Sequence, residues 1–195
     1  MTRPDHLSTV FLGLGANVGD RLSMLGRAVA RLSQNPQIHV DESKDLASIY
    51  ETQPVGGPSN QGLFLNTVVR VATSLTPRGM LQACLEVEQA LGRVRGERNG
   101  PRVIDIDILL FENLLLLEDD LIIPHPRLHE RLFVLEPLSE LAGAAIHPLF
   151  TLPIAQLRDR LRSAVSGPAV MVRVWAGGWG NILSAAQNAV TAGSR

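Results

Sequence analysis

The sequence predicts an α+β sandwich, a mainly antiparallel sheet covered by helices. Three observations carry this: the succession of strand-like and helix-like runs, the Gly and Pro punctuation between them, and the lack of a repeated βαβ rhythm. Residues 9–14 (Thr-Val-Phe-Leu-Gly-Leu) read as a mostly buried strand ended by Gly15-Ala16-Asn17. Asp20 is placed to cap a helix in which Leu22, Leu25, Val29 and Leu32 recur at helical spacing until Asn35-Pro36 stops it. A second strand is expected over 46–52, followed by a loop from Pro54 to Gly62 too rich in Gly and Pro for a regular element. Residues 63–73 read as a strand. Pro77 opens a helix that runs to about Leu91, where Gly92 ends it. A Gly- and Arg-rich loop precedes a strand from Val103 to Phe111, and a short helix is expected around 135–142. Strand, helix, strand, strand, helix, strand is the ferredoxin-like split pattern.

The chain has 195 residues with 45% hydrophobic content, enough for one domain with a sizeable core. Its formal net charge of −1 gives no chain-wide electrostatic case for nucleic acid or an anionic membrane surface, so neither is expected as a partner. Cys84 is the single cysteine and sits in an apolar helical stretch, so it reads as a buried structural thiol. No run approaches a membrane span, and the polar first eight residues do not resemble a secretory signal; a cytoplasmic monomer is expected. Residues 9–160 read as the functional domain. Residues 161–195 change character and read as a C-terminal extension: a peripheral strand and helix, a self-association element or a frayed tail, in that order of preference.

The chemistry concentrates around Asp105 and Asp107. Alternate side chains of a strand share a face, so both carboxylates point the same way, about 7 Å apart at the backbone, while Ile104, Ile106 and Ile108 fill the other face. Two like charges on an apolar strand need either a hard divalent cation or arginine partners, and the pair alone leaves both open. Arg93, Arg95, Arg98 and Arg102 lead into this strand, and His125, Arg127 and Arg131 follow it. Arginine forks beside paired carboxylates suit a metal-bound polyphosphate, against the plainer reading of a solvated basic loop. Glu88 continues the apolar stripe of Leu81, Cys84 and Leu85, so its carboxylate must find a donor, from a helix-end ion pair or from a ligand. Phe64 and Asn66 share a strand face, setting an apolar ring beside an amide. That suits a planar heterocycle with donors and acceptors.

Taken together, Gly13-Leu-Gly-Ala-Asn17, Tyr50-Glu-Thr-Gln-Pro-Val-Gly56, Phe64-Leu-Asn66, Gly92-Arg-Val-Arg95, Gly100-Pro-Arg-Val-Ile-Asp-Ile-Asp-Ile-Leu109 and Pro124-His-Pro-Arg-Leu128 with Arg131-Leu-Phe133 resemble the 6-hydroxymethyl-7,8-dihydropterin pyrophosphokinases over about residues 9–150. The resemblance implies pyrophosphate transfer from ATP to 6-hydroxymethyl-7,8-dihydropterin in folate biosynthesis, with AMP released. It implies that Asp105 and Asp107 hold two magnesium ions on the ATP phosphates. Arg95, Arg98, Arg102, His125 and Arg131 match triphosphate contacts, Arg95 and Arg102 being catalytic with the two aspartates. Glu88 matches a ribose or nucleotide contact, and Leu81 and Ile108 lie near the adenine. Phe64 and Phe133 match the rings that sandwich the pterin, and Thr52, Pro54, Val55 and Asn66 match its hydrogen-bonding edge. The chain departs from the family at Asn99, where some members carry Trp, in a loop from Gly96 to Gly100 that is one residue shorter than in some members, and beyond about residue 160.

Two rival readings are available. Gly13-Leu-Gly15 after a strand, with Asp41 or Glu42 further on, suggests a dinucleotide fold, but Val18 stands where the third glycine belongs. A nucleotide- or pterin-binding module without turnover would explain the pocket residues but not the paired carboxylates.

Overall fold

The computed structural model describes residues 7–58, 60–94, 100–164, 171–175 and 179–192. The chain runs β1 (Ser8–Ala16), α1 (Arg21–Leu32), β2 (Ile38–His39), β3 (Ile49–Thr52), β4 (Phe64–Thr73), α2 (Pro77–Ala90), β5 (Asp105–Phe111), β6 (Leu116–Leu117), β7 (Ile122–Ile123), a 3-10 turn at Leu128–Glu130, α3 (Leu132–Ala142), α4 (Ile154–Ala164), β8 (Met171–Trp175) and α5 (Gly180–Ala192). The helix boundaries follow local chemistry. Asp20 accepts the Ser23 N–H at 3.1 Å to cap α1, and Thr76 accepts the Gly79 N–H at 3.1 Å to cap α2 ahead of Pro77. Gly92 adopts φ of 85°, the left-handed turn that releases the chain from α2.

Several boundaries differ from expectation, and β1 runs on through Gly15 and Ala16, which were expected to end it. The second strand begins at Ile49, because Leu46 reaches β4 only through an isolated bridge to Val69. The strand expected from Val103 begins at Asp105. Helix α3 begins at Leu132, since Val134 and Leu135 already face the core. The β6–β7 hairpin and α4 were not anticipated, and α4 runs across residue 160.

The main sheet has six strands in the order β5-β1-β4-β3-β8, with β2 attached to β4, and every pairing in it is antiparallel. Its two faces bury two cores. Val10, Leu12, Leu14, Val69, Val71, Ile106 and Ile108 face α1 and α2, while Phe11, Val68, Leu109 and Leu110 face α3 and α4. Cys84 is buried in the first core, where exclusion of water pushes its thiol far above the usual range.

Residues past the family resemblance join this frame. Strand β8 adds to the sheet edge against β3, and α5 packs on α1. A methyl group placed on Gly26 of α1 would lie 2.6 Å from Ile182 Cγ2, so the glycine permits this close helix approach. Trp179 is 3% exposed and donates its indole N–H to the Ala47 carbonyl at 3.1 Å. Of the unusual cluster from Trp175 to Gly180, residues 176–178 lie outside the described residues.

His147 closes the second core beside Phe150, with Nδ1 accepting the Leu149 and Phe150 N–H groups at 3.2 and 3.4 Å. Burial, and then nearby His129, hold its pKa down at about 4 instead of 6.5. The unfolded chain therefore binds a proton that the folded chain refuses. The stability this group supplies is complete above pH 6.5 and is lost as pH falls toward 4. Urea midpoints should decline across that window, and His147→Asn should flatten the decline in part. Part of the slope should persist, because His125 is depressed to about 4 as well.

Candidate active site

The site lies on the α3 side of the sheet, where strand register sets its floor. Asp105 pairs with Gly15 and Asp107 with Gly13, and on the other flank of β1 Gly15 pairs with Asn66. The two glycines leave the sheet centre bare between the carboxylates of β5 and the amide of β4. A methyl group on Gly15 would sit 2.9 Å from Asn66 Oδ1, so it would have to displace that amide. The resulting half-open cleft takes in about 760 Å³ of empty space, part of it open to solvent. Thr52, Val55, Phe64, Asn66, Arg102, Asp105, Asp107, Arg131 and Phe133 all line it.

One end of the cleft is apolar with a polar edge. Phe64 comes from β4 and Phe133 from the first turn of α3. Asn66 donates from Nδ2 to Thr52 Oγ1 at 2.8 Å, which orients the amide and leaves Oδ1 toward Gly15. Pro54 belongs to the same loop but does not border the cleft.

The other end is charged. Arg102 pairs with Asp105, while Arg93 reaches Asp105 at 2.7 Å and also holds Glu88. Among the described residues Asp107 has no comparable partner: His125 Nε2 and Arg131 Nη1 stand 3.8 and 3.9 Å away, beyond hydrogen-bond range. Although 41% of the side chain's surface is reached by solvent, crowding on the cleft floor and then the neighbouring Asp105 push its carboxyl up to about 6. His125 accepts the Arg127 N–H on Nδ1 at 3.1 Å. Burial and then Arg131 hold its pKa down at about 4, so the ring is neutral at pH 7 with its proton on Nε2, facing Asp107. Arg131 lies over Phe133, its guanidinium carbon 5.7 Å from the ring centroid. Its buried Nε has no hydrogen-bond partner among the described residues.

Asp105 and Asp107 fit a hard cation. They supply two carboxylates on one strand face, and no group of three or more metal-binding side chains forms among the described residues. Magnesium commonly takes that few protein ligands and completes its shell with water and substrate phosphate.

Other expected positions fall elsewhere. Glu88 is 3% exposed and turned away from the cleft; its Oε1 accepts the Ile106 N–H at 2.7 Å together with Arg93. Burial raises its pKa against the opposing pull of those two donors. The donors that the stripe position demanded are the β5 backbone and Arg93. Ile108 lies on the opposite face of β5, buried in the first core, and Leu81 packs against that core from α2, so neither borders the cleft. Arg95, Arg98 and Asn99 lie outside the described residues.

Two contributors escaped the sequence reading. Asn17 accepts the Arg102 N–H at 2.7 Å, donates its own backbone N–H to the Arg102 carbonyl at 3.1 Å and reaches Gln61 and Gly62 with Nδ2. It thus pins the start of the carboxylate strand to the loop over the cleft. The second is Arg93, read only as one of a cluster, which joins Glu88 to Asp105.

The sequence model of the family 7,8-dihydro-6-hydroxymethylpterin-pyrophosphokinase matches residues 11–143. The 2-amino-4-hydroxy-6-hydroxymethyldihydropteridine pyrophosphokinase of Methylorubrum extorquens is 47% identical over 137 residues, covering 70% of this chain and 84% of the relative. Its namesake from Aquifex aeolicus is 38% identical over 152 residues, covering 78% and 91%. Among solved structures, a Plasmodium falciparum HPPK-DHPS chain crystallised with pterin and p-hydroxybenzoate matches at a TM-score of 0.66 and 17% identity, over 88% of this chain. This chain spans about half of that longer one (48%), and at such identity the likeness shows the fold alone. The family match takes in both aspartates, Arg102, Arg131 and the two cleft phenylalanines, and on it the chain belongs to the 7,8-dihydro-6-hydroxymethylpterin-pyrophosphokinase family.

Proposed function

We propose that this chain transfers pyrophosphate from ATP to 6-hydroxymethyl-7,8-dihydropterin, giving AMP and the pterin diphosphate. The observation that carries the reading is the single cleft holding Asp105, Asp107, Arg102 and Arg131 at one end and Phe64, Phe133, Asn66 and Thr52 at the other. The first set suits a polyphosphate with its cation, and the second suits a flat heterocycle.

Phe64 and Phe133 stack on the pterin ring, and Asn66 with Thr52 reads its donor and acceptor edge. Val55, with Pro54 behind it, flanks that edge. This orients the hydroxymethyl oxygen toward the β-phosphorus of ATP for in-line attack. Asp105 and Asp107 would hold two magnesium ions, which would neutralise phosphate charge as AMP departs. Arg102, Arg131 and the neutral Nε2–H of His125 donate to phosphate oxygens, with Arg95 and Arg98 assigned the same task from the preceding loop. Asp105 is held by Arg93 and Arg102. Polyphosphate binding exchanges those partners: the guanidinium groups turn to phosphate and the carboxylate to the cation.

The test is AMP release by the purified full chain given ATP, magnesium and the pterin alcohol, compared with either substrate alone. AMP formed only with all three supports the proposal; pterin and nucleotide binding without AMP would favour a non-catalytic module. Gly15→Ala supplies a second check. Its methyl group must displace the Asn66 amide, so the pterin KM should rise about tenfold while the ATP KM holds. Initial-rate measurements with each substrate varied in turn decide this.

A further inference from the structure

The row of paired residues that crosses the cleft floor does not end at β3. Asp105 stands opposite Gly15, Gly15 opposite Asn66, Asn66 opposite Tyr50, and Tyr50 opposite Arg173. In the next row Phe64 pairs with Thr52 and Thr52 with Met171. Strand β8 therefore borders the two β3 residues that back the heterocycle end of the cleft. It lies beyond residue 143, where the family match stops.

Arg173 ties three elements together. Its Nε and Nη2 donate to the Tyr50 hydroxyl at 3.2 and 3.0 Å, and Nη2 also donates to Glu140 Oε1 at 3.0 Å. Tyr50 donates its own hydroxyl proton to the same Glu140 oxygen, while Glu140 Oε2 accepts the Ser48 N–H at 2.8 Å. The guanidinium carbon lies 5.5 Å from the centroid of the Tyr50 ring. Glu140 belongs to α3, the helix whose first turn carries Phe133 into the cleft, and Tyr50 belongs to β3, which ends at Thr52. The knot thus fixes the spacing between the element that presents one stacking ring and the element that presents the polar edge.

We infer that Arg173 is a positioning residue for the heterocycle end of the cleft, acting through Tyr50 and Glu140, and that β8 is part of the catalytic unit. The inference rests on the reading of that end as the pterin site. An ordinary exposed ion pair adds little to stability and nothing to ligand selectivity. Here the cation is shared between a carboxylate and a hydroxyl whose tyrosine is only 5% exposed, and it spans two cleft walls. Loss of it should loosen the distance between Thr52 and Phe133 without unfolding the sheet.

Truncation before β8 is a poor test, because it would also strip Trp179, Ile182 and Leu183 from the core. Point variants of the full chain avoid this. Arg173→Met should raise the pterin KM about three- to tenfold, leave the ATP KM within about twofold and move the thermal midpoint by less than about 3 °C. Arg173→Lys, which keeps the charge and one donor reach, should recover part of the loss. An unchanged pterin KM would overturn the inference, as would a parallel rise in both KM values with a large fall in thermal midpoint. Calorimetric titration of the pterin alcohol, with magnesium and a non-hydrolysable ATP analogue present, separates this from the activity reading. If wild type binds pterin but releases no AMP, the activity reading falls, and Arg173 is still judged by whether the Met variant binds more weakly. If wild type binds no pterin, both fall.

Discussion

Asp107→Asn is expected to lower kcat/KM about a thousandfold or more, while the metal-free protein becomes more stable at pH 8. The catalytic loss follows from removing one of two carboxylates proposed to hold the cation, and among the described residues no group of three metal-binding side chains forms. The stability gain follows from the charges around Asp107. Asp107 sits beside Asp105 with no cation in hydrogen-bond range among the described residues, and its carboxyl is pushed up to about 6 from 3.8. A group with a raised folded pKa contributes its stability fully below the unfolded value and loses it as pH rises through the folded value. The Asn variant should therefore melt above wild type at pH 8, by about 2–3 °C once solvent access is discounted, and match it near pH 4. Asp105→Asn should be equally inactive but opposite in stability, because it leaves Arg93 and Arg102 without their shared acceptor. Thermal melts without metal at the two pH values, alongside AMP-release rates, check both halves. A pair of variants that lose activity and stability together would show that the carboxylates serve the fold.

Arg102→Met is expected to cost about 10²- to 10³-fold in kcat/KM, chiefly through kcat, because its donors are proposed to strengthen on phosphate charge that grows at the transition state. The backbone should not move. It is held on both sides by Asn17, through the N–H at 2.7 Å and the carbonyl at 3.1 Å, and neither bond involves the Arg102 side chain. The same substitution removes a competitor for Asp105. Magnesium binding without nucleotide should therefore tighten by about two- to fivefold even as turnover collapses. Calorimetric metal titration and steady-state kinetics on one preparation would reveal this divergence. Metal affinity falling in step with activity would mean that Arg102 helps build the cation site.

Much of this site was legible because its signals are local. Period-two alternation in β5 set Asp105 and Asp107 on one face and the isoleucines on the other, and the structure keeps that division. Phe64 and Asn66 share a face for the same reason. What the sequence could not show were partners chosen by packing. Glu88 stood out as a polar residue in an apolar stripe, yet its acceptance of the Ile106 N–H depends on how α2 settles on β5. Asn17 reads as a turn residue until the fold brings it to Arg102, 85 positions away. The ion-pair state of Asp105 was equally hidden, since both a cation and arginine partners satisfied the local argument.

The far end of the chain illustrates a different limit. Trp179 and Met171–Trp175 offer no strong periodicity, and their place follows from an open β3 edge and from Gly26 on α1. Pairing partners contributed by the other end of a chain leave little mark on local composition. The family match covers residues 11–143, so the resemblance carried no guidance there either.

A crystal structure of the full chain with magnesium and a non-hydrolysable ATP analogue would decide whether the paired aspartates hold the cations. Carboxylate oxygens of Asp105 and Asp107 should lie about 2.0–2.1 Å from cations bridged to the phosphates, with Arg93 and Arg102 released from Asp105. Both aspartates still paired to arginine, with nucleotide and cation bound elsewhere, would contradict it.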